Sequence, residues 1–255
     1  GIDVYNYQQE AITLNPYMES YRRKFSATNM TIAFALSNAK ADNPDKDKVP
    51  TLVQQGIQEA RVATVLNPPD STNWVNLARV YSTLIGSVDQ APQFAVDAYA
   101  QAIANAPTDP ILRLEMGGIF YRTKIYDQAA LTFEQLVTLK SNWPNAYYNL
   151  AITYRQRQEN DKAVAAYLQT LSLTDSTSPD YIRVKSELED LQRQMSAKNA
   201  AQQKQRVVPV QQSDVNTQAI PNTLVSPTAS TGSAVLPNRR AQDAFNKTIQ
   251  SSPTP

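Results

Sequence analysis

The chain has 255 residues, with 24 Lys and Arg against 23 Asp and Glu, a net charge of +1. That length suits one large domain or two ordinary ones, and the charge balance gives no long-range field to draw in nucleic acid or an anionic membrane. There is no Cys and no His, which removes thiol nucleophiles, disulfides, Cys/His zinc sites, imidazole bases and haem ligation by either residue. Only six Gly disfavour a phosphate-cradling loop, while 42% hydrophobic residues suffice for a packed core. No apolar run approaches the ~20 residues of a membrane-spanning helix. The opening Gly1-Ile2-Asp3 lacks the basic-then-apolar pattern of a secretory signal.

In chain order, residues 1–16 hold the helix Asp3–Leu14. Ala11 and Pro16 are in phase with the second helices of later units, and no partner helix comes before them. This is expected to be the second helix of a truncated repeat, its partner supplied by residues upstream. Residues 17–68 read as a long atypical helix pair: Tyr17–Ala39, a polar loop Lys40–Lys48, then Val49–Leu66. This unit carries 18 extra residues and a weak aromatic signature. In residues 69–107, Trp74, Leu77, Ala78 and Tyr81 open a unit, and Ala95, Tyr99, Ala102 and Pro107 close it. Five extra residues fall at Gly86–Pro92, where Gly and Pro break helices.

Units 108–141 and 142–175 coincide at a shift of 34. Met116-Gly117 falls on Leu150-Ala151, Phe120 on Tyr154, Ala129 on Ala163 and Phe133 on Tyr167. Residues 176–195 continue the register, with Tyr181, Val184 and Leu188 following Tyr147, Leu150 and Tyr154. Arg183, Lys185, Glu187, Glu189, Asp190, Gln192 and Arg193 give this helix the polar outer face of a cap, ending at Met195. Residues 196–255 have one aromatic, Phe245, six Pro, and six basic against two acidic residues. Such a segment cannot bury enough apolar surface to offset its chain entropy and is expected to be a disordered tail. Within it, Ala241, Phe245 and Ile249 recur every four residues, which makes Arg239–Gln250 a candidate docking helix.

A 34-residue helix–turn–helix unit with aromatic and Ala positions in this order resembles the tetratricopeptide repeat. The resemblance runs from about Asp3 to Met195 and is strongest over Ser71–Asp175. It implies an all-α fold, a right-handed α-solenoid in which small residues let paired helices approach and bulky ones fill the space between units. It also implies a non-enzymatic scaffold that binds a protein or peptide in a concave groove lined by the first helices. Helical phase places Asn76, Arg79, Tyr121, Arg122, Tyr148, Asn149 and Arg155 in that groove. Arg and Tyr offer large contact area with a polar handle, and Asn can bond a peptide backbone. The family's chaperone-tail site clamps a terminal carboxylate with Lys, Asn and Arg. The matching places here hold Val75, Arg79, Glu115, Asn145 and Asn149, and Glu115 would repel that carboxylate.

The phrases Trp74-Val75-Asn76-Leu77-Ala78 and Tyr147-Tyr148-Asn149-Leu150-Ala151 are also similar to soluble C-terminal repeat regions of bacterial membrane proteins of O-antigen-ligase-like type. That likeness implies a membrane domain upstream, a place at the bacterial cell envelope, and scaffolding of glycan assembly or secretion. A third reading is a carbohydrate- or lipid-binding solenoid or enzyme, lidded by the extra residues of the second unit.

Little else carries chemistry. Ser37-Asn38-Ala39-Lys40 fits a Ser/Lys acyl-enzyme pattern, but no Ser-Asp-Asn or Lys-Thr-Gly accompanies it. Asp42, Asp45 and Asp47 alternate with Lys46 and Lys48 and lack the central Gly of a calcium loop. No catalytic residue, metal or cofactor is assigned, and no nucleic-acid partner is expected. The register itself is testable. Ala129→Glu or Phe133→Asp should force a charge into a packed interface and unfold the central units, read as lost helical circular dichroism and a lowered melting point.

Overall fold

The computed structural model describes residues 2–40 and 42–206, and every regular element among them is helical. The helices are α1 (Ile2–Leu14), α2 (Glu19–Ser37), α3 (Val49–Leu66), α4 (Ser71–Thr83), α5 (Ala91–Asn105), α6 (Pro110–Arg122), α7 (Tyr126–Leu139), α8 (Pro144–Gln156), α9 (Asn160–Ser172) and α10 (Pro179–Arg206). A short 3-10 turn, Pro44–Lys48, leads into α3. The fold is an α-solenoid. Helices pair as α2–α3, α4–α5, α6–α7 and α8–α9, and the second helix of each pair packs on the first helix of the next.

Local chemistry sets the turns. Between units, Asp70 and Asp109 cap α4 and α6, each accepting at 2.9 Å from the backbone N–H two residues on. Within units, α6 and α8 end in the same motif. Ile125 N–H donates to Phe120 O and Lys124 N–H to Tyr121 O. Glu159 and Gln158 repeat both bonds on Tyr154 and Arg155. These are Schellman closures, and they hold Lys124 and Gln158, spaced by 34 residues, at φ 62°.

A third recurrence fixes the phase of the atypical unit. Arg22 Nε, Trp74 Nε1 and Arg113 Nη1 each donate to the carbonyl of the proline six residues before: Pro16, Pro68 and Pro107. Residue 22 therefore stands where 74 and 113 stand. In that register Asn29 takes the place of Tyr81 and Ala60 the place of Tyr99, and both are fully buried. The aromatic signature is weak there because both bulky positions carry smaller residues. Met30 fills in against Gly56, and the Ser26 hydroxyl donates to Gly56 O at 2.7 Å.

The core sits where small and large residues alternate along the stack. Ala78, Ala95, Ala129, Ala151 and Ala163 are completely buried, as are Phe133 and Tyr167. Gly117 shows why size matters. A Cβ there would lie 2.5 Å from Cε1 of Phe133. Its neighbour Gly118 is not a packing residue, because a Cβ there meets nothing within 4 Å. Phe120 is half-buried, unlike Tyr81 and Tyr154.

The last helix differs from its expected extent. It does not stop at Met195 but runs to Arg206, so 196–206 belong to the helix and not to the tail. The added stretch is dominated by Ala, Gln and Lys, strong helix formers that extend an existing helix. Residues 207–255, including Arg239–Gln250, lie outside the described residues.

Two adjacent glycines should therefore respond oppositely to alanine. Gly118→Ala is expected to stabilise by about 1 kcal/mol through helix propensity. Gly117→Ala should cost on the order of 1–3 kcal/mol through overpacking against Phe133. Urea midpoints of the two variants check both signs.

Candidate interaction face on the first helices

No pair of second helices touches as extensively as α2 with α4 or α6 with α8. The described array therefore curves with its first helices inside, and the face they share is the candidate site. Its polar residues fall on a register. Asn76, Glu115, Asn149 and Arg183 are equivalent positions on α4, α6, α8 and α10, and three of them reach back to the preceding unit.

Asn76 Nδ2 donates to Ser26 Oγ at 3.2 Å. Glu115 accepts from Arg79 Nη2 at 2.7 Å and Nε at 3.2 Å, and also from the Tyr99 hydroxyl. Arg183 Nη1 donates to the Tyr148 hydroxyl at 3.1 Å, and its guanidinium lies 4.8 Å from that ring's centroid. Asn149 is the exception. Its Nδ2 bonds back to Asn145 O at 2.7 Å on its own helix. The buried aromatic at the corresponding place before it is Phe133, which has no hydroxyl to offer, whereas Tyr99 and Tyr167 do.

At the end of the array Glu187 closes the pattern. It accepts from Tyr167 at 3.0 Å and from Tyr148 at 3.2 Å. Glu187, expected on the polar outer face of the cap, is half-buried against tyrosines of α8 and α9, while Arg183 is exposed there and reaches Tyr148 of α8 as well. Their signal was visible in the register, since Arg183 falls on Glu115 and Asn149.

These contacts divide the seven predicted residues. Asn76, Arg79 and Tyr148 are committed to neighbouring helices. Tyr121 is half-buried, edge-on to Tyr126 with centroids 5.6 Å apart. Arg155 is half-buried near the Tyr167 hydroxyl. Arg122 is exposed in the last turn of α6, with no ion pair among the described residues. Glu115 is not the bare carboxylate that the sequence implied, since the Arg79 guanidinium neutralises it. A pocket of about 290 Å³ lies beside Tyr148, lined by Trp143, Thr170, Asp180, Arg183 and Val184 among others. Among the described residues, no group of three or more His, Cys, Asp or Glu is placed to hold a metal.

The same contacts shift the titration of the groups involved. Burial pushes the Glu115 carboxyl up, but the Arg79 and Tyr99 hydrogen bonds and the Arg79 charge outweigh it, so it lies below its ordinary 4.5. Burial, then the hydrogen bond and charge of Glu115, raise the Tyr99 hydroxyl well above its ordinary 10.0. A depressed carboxyl contributes stability above its unfolded value and loses it as pH falls through the folded one. A raised phenol contributes below its unfolded value and loses it as pH rises toward the folded one. Glu115→Gln should thus flatten the fall in melting point below pH 4.5, and Tyr99→Phe the fall above pH 10. Melting curves from pH 2 to 12 check both limbs.

A family model described as the tetratricopeptide repeat matches residues 146–179. The structure is similar to the crystal structure of MamA, with a TM-score of 0.53 and 18% identity, covering 66% of this chain and 85% of that one. It is also similar to MamA 41-end from Desulfovibrio magneticus RS-1, with a TM-score of 0.50 and 16% identity, covering 73% and 93%. At such identities the likeness is one of fold. Anaphase-promoting complex subunit 6 from Arabidopsis thaliana is 30% identical over 88 residues, 32% of this chain. The chain spans 16% of the length of that relative. The family match falls on the α8–α9 pair, whose α8 closure recurs at α6 and whose buried small residues recur in the pairs around it, so the chain carries a tetratricopeptide repeat within an array of like helix pairs.

Proposed function

We propose that this chain is a non-enzymatic interaction scaffold that holds a protein or peptide segment on the face lined by its first helices. One observation carries the reading. That face is held together by Arg79, Glu115, Tyr148 and Arg183, while Arg122, Arg155, Tyr121 and Asn149 make no bond to a first helix of another unit. Two guanidiniums, a phenol and an amide on adjacent helices suit a ligand segment with carboxylates or free backbone amides. Arg79 and Tyr148 contribute indirectly, by setting the spacing of the helices that carry the other four.

No helix among the described residues is long and apolar enough to cross a membrane. The cell-envelope setting rests on the unit phrases alone, and apolar spans in the reading frame upstream of Gly1 would support it.

The test pairs two substitutions. Arg122→Ala with Arg155→Ala should weaken captured ligands by about tenfold or more, with helicity unchanged. Arg79→Ala should instead lower the melting point, by leaving Glu115 without its cation. Crosslinking pull-downs quantified by mass spectrometry, alongside circular dichroism, separate the two effects. Should every captured partner stay bound to the double variant, the groove reading fails.

A further inference from the structure

α6 carries two adjacent glycines, and only Gly117 serves the fold. It gives Phe133 its room, whereas a Cβ on Gly118 would meet nothing within 4 Å. A glycine in the middle of a helix costs stability through its backbone entropy. Nothing in the packing offsets that cost at Gly118. Its position shows what the missing side chain leaves free. Gly118 follows Glu115 by one turn, on the face shared by the first helices, and the equivalent positions on α4 and α8 carry the side chains of Arg79 and Ile152. The result is a gap, about the depth of a side chain, in the middle of that face. The complete pairs α4–α5 and α8–α9 bound it, so it does not arise from where the chain begins or ends.

The gap has apolar walls. Leu114 and Tyr121 precede and follow Gly118 by one turn of α6. They and Ile152 are half-buried and pack against the same core cluster. The floor is mid-helix backbone, whose N–H and C=O groups are already bonded within α6. With no free hydrogen-bonding group beneath it, such a gap suits an apolar side chain and penalises a polar one.

The rim is cationic. Arg122 follows Gly118 by one turn and is exposed, and Arg155 follows Ile152 on α8 and is half-buried. Neither is in an ion pair among the described residues, where the paired arginines are 22, 23, 79, 157, 183 and 193. Glu115, on the other side of Gly118, is already neutralised by Arg79.

We infer that Gly118 seats a bulky apolar side chain of an acidic peptide segment from a partner protein, whose neighbouring Asp or Glu residues reach Arg122 and Arg155. This rests on the function proposed for the first-helix face, and it names what that face selects. Charge complementarity carries the choice of occupant. The chain's own Phe245 does not match it, because Arg239, Arg240 and Lys247 stand near it against Asp243 alone.

The probe is a set of fluorescein-labelled peptides, titrated against the full chain by fluorescence anisotropy at low ionic strength, where charge attraction is least screened. Each has a central Phe and a pair of Glu on either side, set directly beside it or spaced from it by Ser. Binding is expected from at least one spacing. Gly118→Leu should fill the gap and weaken that peptide about tenfold or more, with the melting point unchanged or raised. Gly118→Ala, whose added carbon meets nothing in the fold, should weaken it by a smaller factor. Ala in place of the central Phe should weaken binding to the unaltered chain much as Gly118→Leu does, and Gly118→Leu should then cost the Ala peptide little more. That non-additivity marks direct contact between Gly118 and the central residue. A general disturbance of the face would weaken both peptides alike. Lys in place of every Glu should abolish binding.

Failure of every spacing to bind overturns the inference. So does a Gly118→Leu chain that holds the Phe peptide unchanged, or that loses the Phe and Ala peptides by equal factors. Sedimentation of the unmodified chain as a dimer that Gly118→Leu dissociates also overturns it, because the occupant is then a second copy. Arg122→Ala with Arg155→Ala keeps the two levels apart. If that double variant weakens the Phe peptide while Gly118→Leu does not, the seat is lost and the proposed function stands. If the double variant binds as before, both are lost.

Discussion

The close approach of paired helices is the constraint on which the rest of the structure depends. It is set by one small residue on each partner, Ala78 with Ala95, Gly117 with Ala129, and Ala151 with Ala163, all buried. Phe133 shows how little slack remains, since its ring leaves no room for a single carbon on Gly117. Given that approach, the ring of each second helix, Tyr99, Phe133 or Tyr167, is fully enclosed. Because each pair touches only its neighbours, stability is approximately a sum of unit and interface contributions, and no distant contact can rescue a damaged unit.

Enclosing a tyrosine creates a second requirement, because its hydroxyl needs a partner when it leaves water. The first helix of the next unit supplies one: Glu115 for Tyr99 and Glu187 for Tyr167. Each carboxylate then needs its own counterpart, which Arg79 provides for Glu115 in a bidentate pair. Apolar packing thus dictates a chain of polar contacts that surfaces on the first-helix face. Where the enclosed ring is Phe133, the chain is not needed, and Asn149 bonds back to its own helix.

This sequence of causes explains what was legible beforehand. The fold class followed from small and large residues repeating at 34, because those positions are constrained by volume and leave few substitutes. The α2–α3 pair showed the repeat poorly, since Asn29 and Ala60 occupy the two bulky places. Its phase survives in Arg22, whose bond to Pro16 repeats those of Trp74 and Arg113 although the residue types differ. Helical phase also assigned seven residues to the first-helix face as an expectation. It did not show which of them are already paired. Arg79 and Arg122 look alike in phase and type, yet one is tied to Glu115 and the other is free of ion pairs among the described residues. That distinction depends on a residue in another unit, which helical phase along one helix does not contain.

The division between tied and untied side chains has a consequence for how such a face can bind. A ligand that competes for Arg79 or Tyr148 must first break bonds that hold α4 to α6 or α8 to α10, so part of its binding energy is lost to the array. A ligand that uses Arg122 and Arg155 breaks no bond between first helices. It spans α6 and α8, and so adds a bridge between two units whose own contact is otherwise carried by α7 against α8 and by the lighter α6–α8 touch. In a structure where each interface contributes separately, a bridge of that kind stabilises its own junction most. Binding at the first-helix face is therefore expected to raise the stability of the central units ahead of the terminal ones, so that a ligand engaging these arginines acts as an added interface in the stack.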